Sequence, residues 1–288
     1  MSPPPEALLA GTTAPPGLPL ALTGATRLYA IVGDPIDQAG SPGLFNQAFR
    51  RLNLPAVLVP LQVPAAGLAN LIELFRQCRN WDGLIVTVPH KVDIARYLDE
   101  LGDSARLTGA VNTIRKNADG CLAGANFDGE GFMRGLQSHG HDVRGRRLML
   151  IGAGGAGRAV AHALADGGAA LITIADLDMR RATALAESVA LEHPGLAVRA
   201  GTAAILGHDM VVNCTPASGD RLPLDLTGAA PGTLIADIAL KPAVTPLMQD
   251  ALARGLPVHA GIHMLAGQVD SVLEFFGLAA RSTAPAED

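Results

Sequence analysis

The densest set of residues whose types and spacing suit chemistry is Gly152-Ala153-Gly154-Gly155-Ala156-Gly157, a G-x-G-x-x-G pattern. It follows an apolar run, Leu148 to Ile151, and opens a helix-like segment, Arg158 to Asp166. The first glycine permits a tight turn, the second lets backbone approach a pyrophosphate, and the third lets helix pack on strand. The helix N-terminus then faces the phosphates. Alone, the pattern also fits an ordinary glycine-rich turn. Here it lies between strand and helix, and Asp176 ends the next apolar run (Leu171 to Ala175) at about the 20-residue offset that dinucleotide sites use. A carboxylate there accepts hydrogen bonds from a ribose 2′-OH and repels a 2′-phosphate. NAD is therefore the expected cofactor and NADP the second choice, with Arg180 and Arg181 near enough to soften the preference.

A second set is scattered along the chain. Lys91 follows the apolar run Leu84 to Val88 and a proline, which puts its ammonium within reach of a cleft at the strand's C-terminal end. The plain alternative is a surface lysine. Asp128 offers a carboxylate, or simply caps a helix starting at Gly129. Asn112, beside Thr113 in a strand-like run, is a poor strand former, and a buried amide must find partners. Ser41 before Pro42 fits an N-cap and first-turn pair, and the same helix N-terminus suits a ligand carboxylate. Gln268 on the last helix faces either solvent or a ligand. No H-x-x-E-H or H-x-x-x-H cluster is read among the eight histidines, and no metal is expected. His90 and His263 read as local packing or polar contacts.

The elements that must position these residues follow an α/β rhythm. Tyr29 to Val32, Ala56 to Val59 and Leu84 to Val88 read as buried strands, with Leu68, Leu71, Ile72 and Phe75 on one helical face between the last two. This predicts a parallel sheet with helices on its faces. Val111 to Arg115 and Cys121 to Ala125 flank a turn at Asn117 to Gly120 and read as a hairpin. A helix from about Gly129 to Ser138 leads into the dinucleotide unit, which continues through strands near Ala197, Met210 to Asn213, Leu234 to Asp237 and Val258. A final helix carries Leu265, Val269, Val272, Leu273 and Phe276 on one face. The expected architecture is two α/β domains with a cleft between them. Residues 26–125 and 262–279 form the first domain, 126–261 a Rossmann dinucleotide-binding domain, and 1–25 and 280–288 are disordered tails.

Composition excludes several classes. A net charge of −5 and 3% aromatic residues argue against nucleic-acid binding. No apolar run reaches the ~18 residues of a membrane span. Three scattered cysteines, with no C-x-x-C pair, point to a reducing, cytoplasmic compartment.

Taken in order, several segments resemble the shikimate dehydrogenase family, including its quinate/shikimate branch. They are Gly33-Asp34-Pro35-Ile36 with Ser41-Pro42 and Asn46, Thr87-Val88-Pro89-His90-Lys91, Gly109-Ala110-Val111-Asn112-Thr113, and Asn126-Phe127-Asp128-Gly129. The glycine loop, Asn213-Cys214-Thr215-Pro216, Thr245-Pro246-Leu247 and Gly261-Ile262-His263-Met264-Leu265 with Gln268 complete the series. The resemblance spans about residues 27 to 278 and implies hydride transfer between NAD(P) and a cyclic hydroxy acid, in a monomer or homodimer. It implies a catalytic pair, Lys91 and Asp128, and hydroxyl or carboxylate contacts from Ser41, Thr87, Asn112 and Gln268. Cofactor contacts would come from Gly152, Ala153, Gly154, Gly155, Ala156, Gly157, Asp176, Thr215 and Gly261. The pair makes chemical sense, since reducing a ketone needs a proton for the new alkoxide and a lysine oriented by a carboxylate can supply it.

The departures fall in the substrate site. The family usually shows His-Ser-x-Ser-Pro where this chain has Gln38-Ala39-Gly40-Ser41-Pro42, so one of two carboxylate-binding serines is Ala39. Phe127 stands where a threonine commonly precedes the aspartate, and Leu240 where a tyrosine is common. NADP-using members commonly carry Asn-Arg-Thr where this chain has Ala175-Asp176-Leu177. The expected reaction interconverts shikimate, or a close analogue, and its 3-dehydro ketone. The rivals are a quinate or aminoshikimate-type dehydrogenase, and a non-catalytic sensor of NAD and a metabolite, which the intact Lys91 and Asp128 disfavour.

Overall fold

The computed structural model describes residues 22–215 and 222–278. Residues 1–21 of the expected leading tail, the expected closing tail and Pro216 lie outside that range.

Six strands build the first sheet: β1 (Arg27–Gly33), β2 (Ala56–Gln62), β3 (Trp81–Val86), β4 (Glu100–Leu101), β5 (Thr113–Lys116) and β6 (Leu122–Ala125), in the order β2-β1-β3-β5-β6-β4. β1 lies parallel to β2 and β3, joined by α1 (Ser41–Arg51) and α2 (Leu68–Gln77). The expected hairpin forms between β5 and β6, and β5 also runs antiparallel to β3. The sheet is thus mixed, where the βαβ rhythm predicted a parallel one. Asn117 to Gly120 reverses the chain in four residues, with Gly120 at φ +89°, too short a link for a parallel crossover. A short helix, α3 (Asp103–Thr108), precedes β5.

The linking helix, α4 (Asp128–Ser138), leads to the second sheet. Its strands are β7 (Arg147–Ile151), β8 (Leu171–Ala175), β9 (Ala197–Ala200), β10 (Met210–Asn213), β11 (Leu234–Asp237) and β12 (Val258–Ala260), ordered β12-β11-β10-β7-β8-β9 and parallel throughout. Counted from β7, this is the 3-2-1-4-5-6 order of dinucleotide-binding sheets, which place ligands where the order reverses. Its helices are α5 (Gly155–Asp166), α6 (Met179–Glu192) and α7 (Pro246–Ala253). The sequence reading passed over α6, although Ala182, Leu185, Ala186 and Val189 are buried at helical spacing and Asp178 caps it through the Arg180 amide.

The last helix, α8 (Gly261–Phe275), belongs to both units. Met264 packs into the core beneath β7 and β8. Val269, Val272, Leu273 and Phe276 pack with Tyr29, Phe45, Phe49 and Ile85 in the first unit. Burying such side chains stabilises by roughly 1.5–3 kcal/mol each, so α8 ties one sheet to the other. It crosses α4 at backbone contact: a Cβ on Gly131 would lie 2.5 Å from the Met264 carbonyl oxygen, so only glycine fits there.

Candidate active site

A cleft of about 690 Å³ opens between the two sheets. Residues following β1 and β3 line one side, and residues following β7, β10 and β11 line the other. Lys91 reaches it from the turn after β3, held there by the Val111 amide, which donates to the Lys91 carbonyl at 2.7 Å. Its Nζ donates to Asp128 Oδ2 at 2.5 Å. Both side chains are shielded, at 13% and 3% exposure, so the pair is screened far less than a surface ion pair.

Behind this pair the polar groups are mutually satisfied. Asn112 Nδ2 donates to Asp128 Oδ1 at 2.8 Å and to Gln268 Oε1 at 2.9 Å. Asn112 Oδ1 accepts from the Phe127 amide and from Thr113 Oγ1, each at 3.0 Å. Asn112 lies in the bend just before β5 rather than in a strand, and it connects α4 to α8. Gln268 is buried on α8, which removes the solvent-facing alternative. Asn126, a motif residue without a role in the sequence reading, accepts from the Asp128 amide at 3.0 Å and donates to the Ala110 carbonyl at 3.0 Å. It fixes the backbone on which Asp128 sits.

Two capping expectations are corrected. Helix α4 begins at Asp128 itself, and the carboxylate turns to Lys91 and Asn112 instead of capping a helix from Gly129. Ser41 is the first helical residue of α1 rather than its N-cap, a position held by Gly40 without a side-chain cap bond. Ser41 and Thr87 both line the cleft.

The glycine loop follows β7 into the same cleft. Gly152 has φ +104°, and a Cβ on Gly157 would lie 1.8 Å from the Gly152 carbonyl oxygen, so both positions demand glycine. Gly154, the N-cap of α5, has open space where a Cβ would stand. This is the free approach that a pyrophosphate at a helix N-terminus needs, and the loop fits the dinucleotide expected from the sequence. A Cβ on Gly155 would meet Lys91 Cβ at 3.0 Å, so the loop abuts the lysine. Ala153, Ala156, Thr215 and Gly261 also line the cleft, whereas Gly152, Gly157 and Asp176 stand behind that lining. Asp176 directly follows β8 and accepts from the Ala153 amide at 2.7 Å and the Asp178 amide at 2.9 Å.

Other polar residues play supporting parts. Asp237 accepts from Asn213 Nδ2 at 3.0 Å and Thr245 Oγ1 at 2.8 Å, joining the ends of β10 and β11 to α7. Burial raises its pKa, opposed by these hydrogen bonds. Burial, with Asp237 nearby, holds the Cys214 thiol protonated, so it is no nucleophile despite lining the cleft. His90 Nε2 lies 2.7 Å from the Val63 carbonyl, a local polar contact as expected. Arg158 and Arg181 also line the cleft, and Arg180 pairs with Asp178. Arg158 was missed because a helix-initial arginine carries no signal of direction in the sequence.

The far end of the cleft is different. Ala39, Leu240 and Leu265 line it with Gln38 and Ser41. Leu265 and Leu240 close over Gly40, whose Cβ would lie 2.9 and 3.2 Å from their methyl carbons. Phe127 turns away to pack edge-on against Phe275, with ring centroids 5.5 Å apart.

Known proteins share this fold. Residues 31–114 match the family model for the shikimate dehydrogenase substrate binding domain, and residues 135–251 that for shikimate / quinate 5-dehydrogenase. Shikimate dehydrogenase (NADP(+)) of Acidiphilium cryptum is 37% identical over 261 residues, covering 89% of this chain and 93% of the relative. Shikimate 5-dehydrogenase from Listeria monocytogenes, solved with shikimate and NAD, superposes with a TM-score of 0.78 at 28% identity, over 89% of this chain and 93% of that one. The 5-ketofructose reductase of Gluconobacter sp. strain CHM43 superposes at 0.76 with 29% identity, over 87% and 92%. With both family models matched in order and the motif residues gathered in one cleft, this chain belongs to the shikimate dehydrogenase family.

Proposed function

We propose that this NAD(P)-dependent oxidoreductase interconverts a secondary alcohol and a ketone on a shikimate-like cyclic hydroxy acid, using Lys91 and Asp128 as its catalytic pair. The observation that carries the reading is the shielded 2.5 Å contact between Lys91 Nζ and Asp128 Oδ2 beside the glycine loop. A bound nicotinamide would accept or return the hydride. The chain's own part is to hold the reacting hydroxyl between Nζ and the carboxylate and to manage its proton. In reduction Nζ gives a proton to the forming alkoxide, and in oxidation the neutral amine takes it back. Asp128 orients Nζ and accepts from a substrate hydroxyl. Asn112 and Gln268, already linked to that carboxylate, and Thr87 hold neighbouring hydroxyls, while Ser41 and the α1 N-terminus receive the substrate's carboxylate. In this reading residues 126–261 form the cofactor domain, and 26–125 with 262–279 the substrate domain.

We further propose that NAD is preferred over NADP. The carboxylate of Asp176, pinned at the end of β8, would repel a 2′-phosphate. Arg181 at the cleft lets NADP bind as the weaker cofactor. A second reading is favoured by the apolar far end and by the likeness to a 5-ketofructose reductase: a polyhydroxy ketone without a carboxylate. Measuring kcat/KM for shikimate, quinate and 5-ketofructose with each cofactor separates these readings. Highest turnover with a cyclic hydroxy acid and NAD is the expected result. Highest turnover with 5-ketofructose establishes the second reading, and no turnover with tight ligand binding would make the chain a sensor. Asp176→Ala is expected to narrow the NAD/NADP ratio, and an unchanged ratio would remove Asp176 from cofactor choice.

A further inference from the structure

Four of the eight histidines converge away from the reacting end of the cleft, where α4 stops and β12 passes into α8. His139 is the C-cap of α4, His141 lies two residues on, His259 is in β12 and His263 is in the first turn of α8. The expectation that the chain binds no metal overlooked this spacing: His259-Ala260-Gly261-Ile262-His263 is an i, i+4 pair, and the fold brings His139 onto it.

The three rings bring one nitrogen each to the same place. One nitrogen from each of His139, His259 and His263 lies within 4.8 Å of the other two. The Nδ1 atoms of His259 and His263 are 3.3 Å apart. Two imidazoles on one tetrahedral ion, each at ~2.0–2.1 Å, would have their nitrogens about 3.3–3.4 Å apart. His139 Nδ1 sits 2.9 Å from the Gly135 carbonyl oxygen. His259 is only 1% exposed, and its Nε2 has no hydrogen-bond partner.

We propose that His139, His259 and His263 bind one borderline divalent transition-metal ion, of which Zn²⁺ is the representative. An all-imidazole set selects this class over Mg²⁺ and Ca²⁺, which need oxygen ligands. The rings of His139 and His263 are stacked, with centroids 3.7 Å apart. Stacked rings cannot both aim in-plane lone pairs at one ion, so binding must turn the exposed His139 ring. The ion would then pin the end of α4 to the start of α8, the two helices that join the sheets.

The test uses the full chain with any affinity tag removed and the protein stripped with EDTA. Titration with Zn²⁺ by calorimetry, and with Co²⁺ by visible absorption, should show one site per chain that excess Mg²⁺ does not occupy. Saturation with Zn²⁺ should raise Tm by mass action. His139→Ala, at an exposed position, should weaken Zn²⁺ binding at least ~10-fold without lowering the Tm of the stripped protein. His139→Ala/His263→Ala should abolish the Co²⁺ spectrum. Absence of binding to the wild-type chain, or binding undiminished in His139→Ala, would overturn the proposal. If the double variant fails to fold, the His139→Ala titration decides alone.

Discussion

The two ends of the cleft are built on opposite terms. Beside the glycine loop, Lys91, Asp128, Asn112 and Gln268 form an unbroken chain of hydrogen bonds at 2.5–2.9 Å. At the other end, Ala39, Leu240 and Leu265 present carbon, and polar contact falls to Gln38, Ser41 and backbone. A proton-transfer site works only if every member is placed, because a partly satisfied buried network costs more than it contributes. A recognition site can lose a contact and keep part of its affinity. On the proposed reading, the end that keeps the family's motif residues carries the reaction, and the end that departs from them sets which substrate is taken.

The sharpest way to break this comparison is at the reacting end. Lys91→Ala should lower kcat by ~10²–10⁴-fold, the usual worth of general acid–base catalysis, while the Kd for NAD changes little. Asp128→Ala should damage the same step. The double variant should lose less than the product of the single losses, because the two side chains act as a unit. Near-normal turnover in Lys91→Ala would move the proton donor elsewhere.

At the far end the expected effect is smaller and of opposite sign. A hydrogen bond to a charged group contributes roughly 1.5–3 kcal/mol, or about 10- to 150-fold in affinity. Ala39→Ser should lower the KM for shikimate by up to that factor, leaving the KM for NAD unchanged. A water or Gln38 already in the gap would shrink the gain. An unchanged or higher KM for shikimate would favour the carboxylate-free ketone.

The smallest effect sharpens the boundary between the ends. Gln268→Ala removes one neutral hydrogen bond to Asn112, worth ~1 kcal/mol, and should raise the substrate KM by about 3- to 10-fold with a smaller change in kcat. If kcat fell as far as in Asp128→Ala, Gln268 would belong to the proton-transfer unit.

Much of this was legible in the sequence because it rests on local backbone physics. The strands Met210–Asn213 and Leu234–Asp237 begin and end where the apolar runs do. The glycine loop was readable because positive φ and close approach leave only glycine at Gly152 and Gly157. Other features depend on contacts between distant segments, and no local pattern encodes those. Asn112 and Gln268 are 156 positions apart, and their bond exists only because α8 returns across α4. The antiparallel placement of β5 beside β3 is a choice of sheet partner, which periodicity leaves open. Asp128 could be read as a cap or as a carboxylate for Lys91, and only the meeting of the two sheets decided it. The amino-acid sequence determined the elements, the cofactor loop and the inventory of reactive groups, because propensity and glycine sterics act within a few residues. The tertiary structure decided which of those groups meet, because burial and pairing act between segments far apart in the chain.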